Sequence, residues 1–277
     1  VPNLIYSTSH IKNGYQVKSA GDINGDGKTD LLTSGYICSD YAPYIFYNNN
    51  GFGFDSSWFT CSYDYNDQPY RISVNAAGDV NNDGYDDVIV GDNLFDNGEL
   101  DEGVAFVYHG AADGLNTTAS VILECNQAAA SFGISVSSAG DVNADGYDDV
   151  LVGASLYDNG ETDEGVVFVF LGNPIGFNVT PSFILEMNQA GANFGISVDF
   201  AGDYNNDGFD DIVVGANKYD GILTDEGGVF LFLGNAGGIS SIPYKSEFSN
   251  QSNSKFKQST NLFHFFRFMC CLTILCP

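Results

Sequence analysis

The stretch Phe132-Gly133-Ile134-Ser135-Val136-Ser137-Ser138-Ala139-Gly140-Asp141-Val142-Asn143-Ala144-Asp145-Gly146-Tyr147-Asp148-Asp149-Val150-Leu151-Val152-Gly153-Ala154 decides the fold by its order of residue types. Two short β-branched runs flank a turn of Asp, Asn and Gly, which reads as strand, loop, strand. After a polar loop from Tyr157 to Glu164, Val166 to Leu171 and Ser182 to Glu186 supply two further strands. No stretch of the chain shows a 3.6-residue apolar period, so no helix is expected.

The unit recurs. Phe194-Gly195, Ile212 to Ala216 and Val229 to Leu233 repeat its elements, and Thr224-Asp225-Glu226-Gly227 matches Thr162-Asp163-Glu164-Gly165. An earlier copy has Val88 to Gly91, Val104 to Tyr108 and Val121 to Glu124. The acidic loops begin at Asp22, Asp79, Asp141 and Asp203, with spacings of 57, 62 and 62 residues. That period is longer than a solenoid helix pair and suits a four-stranded antiparallel blade. The expected fold is therefore all-β, a propeller of four-stranded blades. Val166 to Leu171 is apolar on both faces, as a strand between neighbouring sheets must be. The pairs Gly153-Ala154 and Gly215-Ala216 allow close backbone approach beside it.

Each loop carries Asp at position 1, Asn at 3, Asp at 5, Gly at 6 and Asp at 9. The candidate ligands are Asp22, Asn24, Asp26, Lys28 and Asp30; Asp79, Asn81, Asp83, Tyr85 and Asp87; Asp141, Asn143, Asp145, Tyr147 and Asp149; and Asp203, Asn205, Asp207, Phe209 and Asp211. The residue at position 7 acts through its backbone carbonyl. Three carboxylates, an amide oxygen and a carbonyl form a hard, all-oxygen donor set, which favours Ca²⁺, four ions in all, over a transition metal or Mg²⁺. A metal-free Asx turn is the plain alternative. An EF-hand is excluded, because position 12 is Thr33, Val90, Val152 or Val214 and lies in a strand. The loop carboxylates, with Asp86, Asp148 and Asp210 at position 8, repel one another until a cation binds. Such modules bind Ca²⁺ with Kd of roughly 10⁻⁴ to 10⁻³ M, which places the chain outside the cell or at its surface.

The charge agrees: 36 acidic against 9 basic residues leave a net charge of −27, which opposes nucleic acid and anionic lipid. No Lys or Arg occurs between Arg71 and Lys218. Cys38, Cys61 and Cys125 lie in the body and Cys270, Cys271 and Cys276 in the tail; Cys38 and Cys61 read either as a bridge or as two free thiols. No signal peptide is visible at Val-Pro-Asn. His10, His109 and His264 sit in unrelated contexts as surface or turn residues, and no nucleophile motif or phosphate loop stands out, so no enzymatic activity is expected. The acid pairs Asp163-Glu164 and Asp225-Glu226 read as a solvated hairpin face. Asn116-Thr117-Thr118, Asn178-Val179-Thr180 and Asn250-Gln251-Ser252 are glycosylation sequons in a eukaryotic host.

Phe-Gly, the acidic loop and Val-Gly-Ala together resemble the FG-GAP repeat of integrin α-chain propellers and related bacterial surface proteins, over about residues 14 to 235. The match is weaker in the first copy, where Gly14-Tyr15 stands for Phe-Gly. The resemblance implies a propeller of about seven blades, so that four repeats form part of one, with calcium in blade hairpins and a role in adhesion. It implies an extracellular protein or glycan partner. No Asp-x-Ser-x-Ser motif is present, hence no inserted metal-dependent adhesion domain. A rival role is a carbohydrate-binding accessory propeller of a secreted hydrolase.

The repeats are expected at about 8–66, 67–128, 129–190 and 191–240, followed by a non-repeat tail, 241–277, disordered or artefactual. Leu262 to Cys276 is apolar but short for a membrane span and interrupted by His264 and Arg267, and it reads as a truncated anchor, a lipidated Cys pair or, preferably, an artefactual read-through. Membrane association would run through regions not clearly present.

Overall fold

The computed structural model describes residues 11–37, 40–48, 54–58, 72–116 and 118–249. Among them every regular element is a strand. The first sheet runs β1 (Ile11–Gly21), β2 (Asp30–Ile37), β3 (Asp40–Asn48) and β4 (Phe54–Trp58); the second runs β5 (Ile72–Gly78), β6 (Asp87–Asp92), β7 (Val104–Tyr108) and β8 (Val121–Leu123). The third comprises β9 (Phe132–Gly140), β10 (Asp149–Ala154), β11 (Val166–Phe170) and, after a separate two-stranded hairpin of β12 (Gly172–Asn173) and β13 (Gly176–Phe177), β14 (Phe183–Leu185). The fourth repeats this order as β15 (Phe194–Gly202), β16 (Asp211–Ala216), β17 (Gly228–Phe232), β18 (Gly234–Asn235), β19 (Gly238–Ile239) and β20 (Lys245–Phe248). All pairings are antiparallel. Four such four-stranded sheets in sequence form a partial β-propeller.

The core lies between sheets, and side-chain alternation puts it there. Val150, Val152, Phe168 and Phe170 pack with Ile89, Val107 and Leu123 of the second sheet, whereas Leu151, Val167 and Val169 pack with Phe194, Ile212, Val214 and Phe230 of the fourth. Both faces of β10 and β11 are buried, as their unbroken apolar runs require. The outer strand β14 is wetter, with Ile184 exposed.

Glycine sets the closest approach. A Cβ on Gly153 would stand 2.0 Å from the Gly195 carbonyl oxygen of the next sheet, and one on Gly91 would stand 2.1 Å from that of Gly133. Ser135 Oγ donates to the same Gly195 oxygen at 2.8 Å, and Ser73 Oγ to Gly133 at 2.8 Å. The Gly that follows Val near the end of β6 and β10 therefore seats the Phe-Gly backbone of the following repeat.

The fourth sheet extends past the boundary expected at 240. Its outer strand β20 pairs with β17 from Leu231↔Lys245 to Gly228↔Phe248. Lys245-Ser246-Glu247-Phe248 lacks the apolar pattern of Phe183-Ile184-Leu185, and this hid the strand. Cys38, Cys61, the third sequon and residues 250–277 lie outside the described residues; Cys125 is a free, partly buried thiol.

Candidate metal centres

The acidic turns join the first two strands of each sheet. Position 4 (Gly25, Asn82, Ala144, Asn206) and the Gly at position 6 (Gly27, Gly84, Gly146, Gly208) all have positive φ, and the backbone curls accordingly. In the third loop the Asp145 N–H donates to both Asp141 Oδ1 and Asn143 Oδ1, each at 3.0 Å, so these two oxygens converge. Gly146 N–H reaches Asp141 Oδ2 at 2.8 Å, and Tyr147 N–H reaches Asp145 Oδ1 at 3.1 Å. The same four bonds arrange Asp79, Asn81 and Asp83, then Asp203, Asn205 and Asp207, then Asp22, Asn24 and Asp26.

Position 9 is held apart. Asp30, Asp87, Asp149 and Asp211 are fully buried. Asp149 accepts the Val142 N–H at Oδ2 and the Gly172 N–H at Oδ1, both at 2.9 Å. Asp87 does so with Val80 and Gly110, and Asp211 with Tyr204 and Gly234; Asp30 accepts from Ile23. The carboxylate thus staples its turn to the end of the third strand.

Burial pushes Asp87 up to about 8 and Asp149 up to about 7 and raises Asp211, with the carboxylates at positions 1 and 5 pushing the same way against the backbone donors. The metal-free fold therefore holds protons that the unfolded chain releases near pH 4. Its contribution to stability is complete below that point and is lost as pH rises through 7 to 8. In chelator the chain is expected to melt higher at pH 5 than at pH 8, and saturating calcium should flatten that slope. Calorimetric melts at the two pH values read this directly, and a higher melt at pH 8 in chelator would contradict it.

Counting Asp, Glu, His and Cys alone, no three side chains among the described residues are gathered at metal-ligating spacing. The donors nonetheless suit a hard cation: all are oxygens, and an oxygen that accepts one N–H keeps a second lone pair. Lys28 Nζ pairs with Asp26 Oδ2 at 2.8 Å in the first loop, while the other three loops contain no basic residue.

The position-8 aspartates, expected to add to the charge of their own loops, turn instead to the preceding loop. Asp86, Asp148 and Asp210 accept, through Oδ2, the backbone N–H of Asp22 (2.6 Å), Asp79 (2.8 Å) and Asp141 (3.0 Å). Their own N–H groups donate to the carbonyls of the same three residues at 3.1, 3.2 and 3.2 Å. A Cβ on Gly21, Gly78 or Gly140 would fall 2.2, 2.1 or 2.3 Å from the incoming Oδ2. The recurring Ala-Gly-Asp before each loop, with Asp at position 8 of the next, was the available signal.

The acid pairs also differ from their expected reading. Asp163 is exposed, but Glu164 and Glu226 are buried. Glu164 Oε1 accepts the Asn159 and Glu161 N–H groups at 2.8 and 3.1 Å and so closes the loop between β10 and β11. Glu226 does the same for Ile222 and Leu223. Glu164→Ala should cost about 2 kcal/mol, because two hydrogen bonds that close the loop are lost, whereas Glu164→Gln keeps an oxygen there and should cost less. Denaturant midpoints of the two variants check the order. His109 is half-buried, its Nδ1 3.5 Å from Asn81 Nδ2, and burial lowers its pKa; His10 and His264 lie outside the described residues.

An FG-GAP-like repeat model matches residues 22–90, and an FG-GAP repeat model matches 132–170 and 194–232. Integrin alpha-5 of Xenopus laevis is 34% identical over 167 residues, covering 57% of this chain and 16% of its own length. Integrin alpha-8 of Mus musculus is 30% identical over 229 residues, covering 76% and 20%. Integrin alpha-3 of Cricetulus griseus is 40% identical over 121 residues, covering 43% and 11%. The chain thus spans a fifth or less of these relatives' length. Among solved structures, rhamnogalacturonan lyase YesW aligns with a TM-score of 0.41 at 14% identity, covering 82% of this chain and 51% of that one; a likeness at this level carries no argument.

Proposed function

We propose, from the premise that this chain belongs to the FG-GAP repeat family, that it is a calcium-stabilised propeller scaffold outside the cell, serving adhesion or the binding of a protein or glycan. The observation that carries the reading is the fourfold loop. In each, the position-5 N–H draws the position-1 and position-3 oxygens together, and three of the four loops lack any basic residue to neutralise the carboxylates.

Each ion would be held by the side chains at positions 1, 3, 5 and 9 and the carbonyl at position 7: Asp141, Asn143, Asp145, Tyr147 and Asp149 in the third loop, and their counterparts in the others. A bound ion supplies the counter-charge that the loop lacks. The chain's own residues do the rest. Positive-φ backbone at positions 4 and 6 curls the turn, and the position-9 carboxylate ties it to the sheet. The Lys28–Asp26 pair makes the first loop the weakest binder. Sites with Kd of roughly 10⁻⁴ to 10⁻³ M fill in extracellular calcium and stay empty in cytosol, and the integrin α relatives favour an adhesive role over catalysis.

The test is calcium binding to metal-stripped chain by isothermal calorimetry, with Mg²⁺ in a parallel titration. Saturable uptake of about four Ca²⁺, the last one weaker, is the expected outcome. No saturable uptake, or Mg²⁺ binding as tightly, would overturn it.

A further inference from the structure

We propose that Asp86, Asp148 and Asp210 are positioning residues that couple neighbouring loops, so that calcium fills them cooperatively along the chain. This rests on the calcium reading above. Each of these residues lies between positions 7 and 9 of its own loop, both of which belong to the ligand set. Its side chain and N–H together grip the backbone of position 1, the first ligand, of the preceding loop. The grip is reciprocal and is repeated at three joints: N–H to carboxylate at 2.6, 2.8 and 3.0 Å, and N–H to carbonyl at 3.1, 3.2 and 3.2 Å.

A second tie runs beside each grip. Ala111, Asn173 and Asn235 N–H groups donate to the position-2 carbonyls of Ile23, Val80 and Val142, at 3.1, 3.2 and 3.0 Å. The residues just before them, Gly110, Gly172 and Gly234, donate to the position-9 carboxylates of their own loops. The position-9 ligand of one loop and the position-2 backbone of the loop before it, next to that loop's first ligand, are therefore anchored to one short piece of backbone. Ordering either loop around an ion orders part of the other, so the second ion meets a site whose conformational cost is already met. Between the two loops the Gly at each joint leaves room for the incoming carboxylate, which a Cβ there would displace. In the first loop Thr29 stands at position 8, and among the described residues no position-8 side chain fills the cradle at Gly202. The inner loops are thus the most strongly coupled.

Calcium titrations of the full chain, Asp210→Ala, Asp210→Asn and Asp207→Ala decide the matter, each variant's fold being checked by circular dichroism in saturating calcium. The parent should bind with a Hill coefficient above 1. Asp210→Ala should still take up as many ions, with the Hill coefficient falling toward 1. Asp210→Asn keeps an oxygen that accepts the Asp141 N–H and should stay close to the parent. Asp207→Ala, which removes a ligand of the fourth loop, should lose one ion and weaken the remaining sites by about fivefold, the low end of ordinary coupling. If Asp210→Ala does not fold, the Asp207→Ala titration still decides. Parent-like cooperativity in Asp210→Ala, or a lost ion in Asp207→Ala with the others unmoved, overturns the coupling alone. A parent chain that takes up no calcium overturns both the coupling and the calcium reading.

Discussion

Transfer from 10 mM calcium into chelator should lower the melting temperature by about 20 °C or more. A site with Kd near 10⁻⁴ M contributes about 2.7 kcal/mol at a hundredfold excess of ligand, and four such sites together roughly four times that. For a domain of this size each kcal/mol moves the melt by about 2 to 4 °C. The physical source is charge. Three loops hold three carboxylates apiece at positions 1, 5 and 9 with no basic residue among them, and a net charge of −27 leaves little elsewhere to offset the repulsion. The shift should scale with free calcium and be small with magnesium at equal concentration. Melts that coincide with and without chelator would show that the Asx-turn network closes these loops unaided.

That network explains how the loops were legible and what was not. Asp, Asn and Gly at fixed spacings predict the turn because each residue acts locally: Asn143 and Asp141 accept N–H groups two to five residues on, and Gly146 takes a φ of +93°. Strands such as Val150 to Ala154 were legible for a similar reason, since an apolar run flanked by Gly has few other places to go. What escaped the reading depends on partners distant in sequence. Asp148 looks like one more loop acid until the Asp79 N–H, sixty-nine residues earlier, is seen to point at it. Glu164 looks like half of a solvated pair until its loop closes over it. His109 has an ordinary turn context, and only the fold sets it against Asn81. Strand β20 was missed because an edge strand needs only backbone pairing, which Lys245-Ser246-Glu247-Phe248 provides without an apolar pattern.

Gly153→Ala should be among the most damaging single substitutions in the chain, costing about 3 kcal/mol or more, although it adds one methyl group. The φ of Gly153 is not in the left-handed region, so an alanine meets no intrinsic backbone strain there. The obstacle is the neighbouring sheet: the new Cβ would lie 2.0 Å from Gly195 O and 2.4 Å from Ser135 Oγ. A serine side chain can rotate away, but a carbonyl in the backbone of β15 cannot. To make room, the third and fourth sheets must separate, losing the Ser135–Gly195 hydrogen bond and loosening the packing of Leu151, Val167 and Val169 on Phe194 and Val214. Overpacking a close-packed interior costs about 1 to 3 kcal/mol when side chains can yield, and more when only backbone can. Gly191→Ala is the matched comparison. Its φ of +72° puts alanine in the left-handed region, at a cost of about 1 to 2 kcal/mol, yet nothing lies within 4 Å of the added atom. Denaturant unfolding of both variants in saturating calcium should therefore place Gly153→Ala well below Gly191→Ala, and Gly91→Ala, facing Gly133 O at 2.1 Å, beside it. The reverse order would mean that the sheets are not seated on one another through these glycines, and the Gly of Val-Gly-Ala would then answer to strand geometry within its own blade.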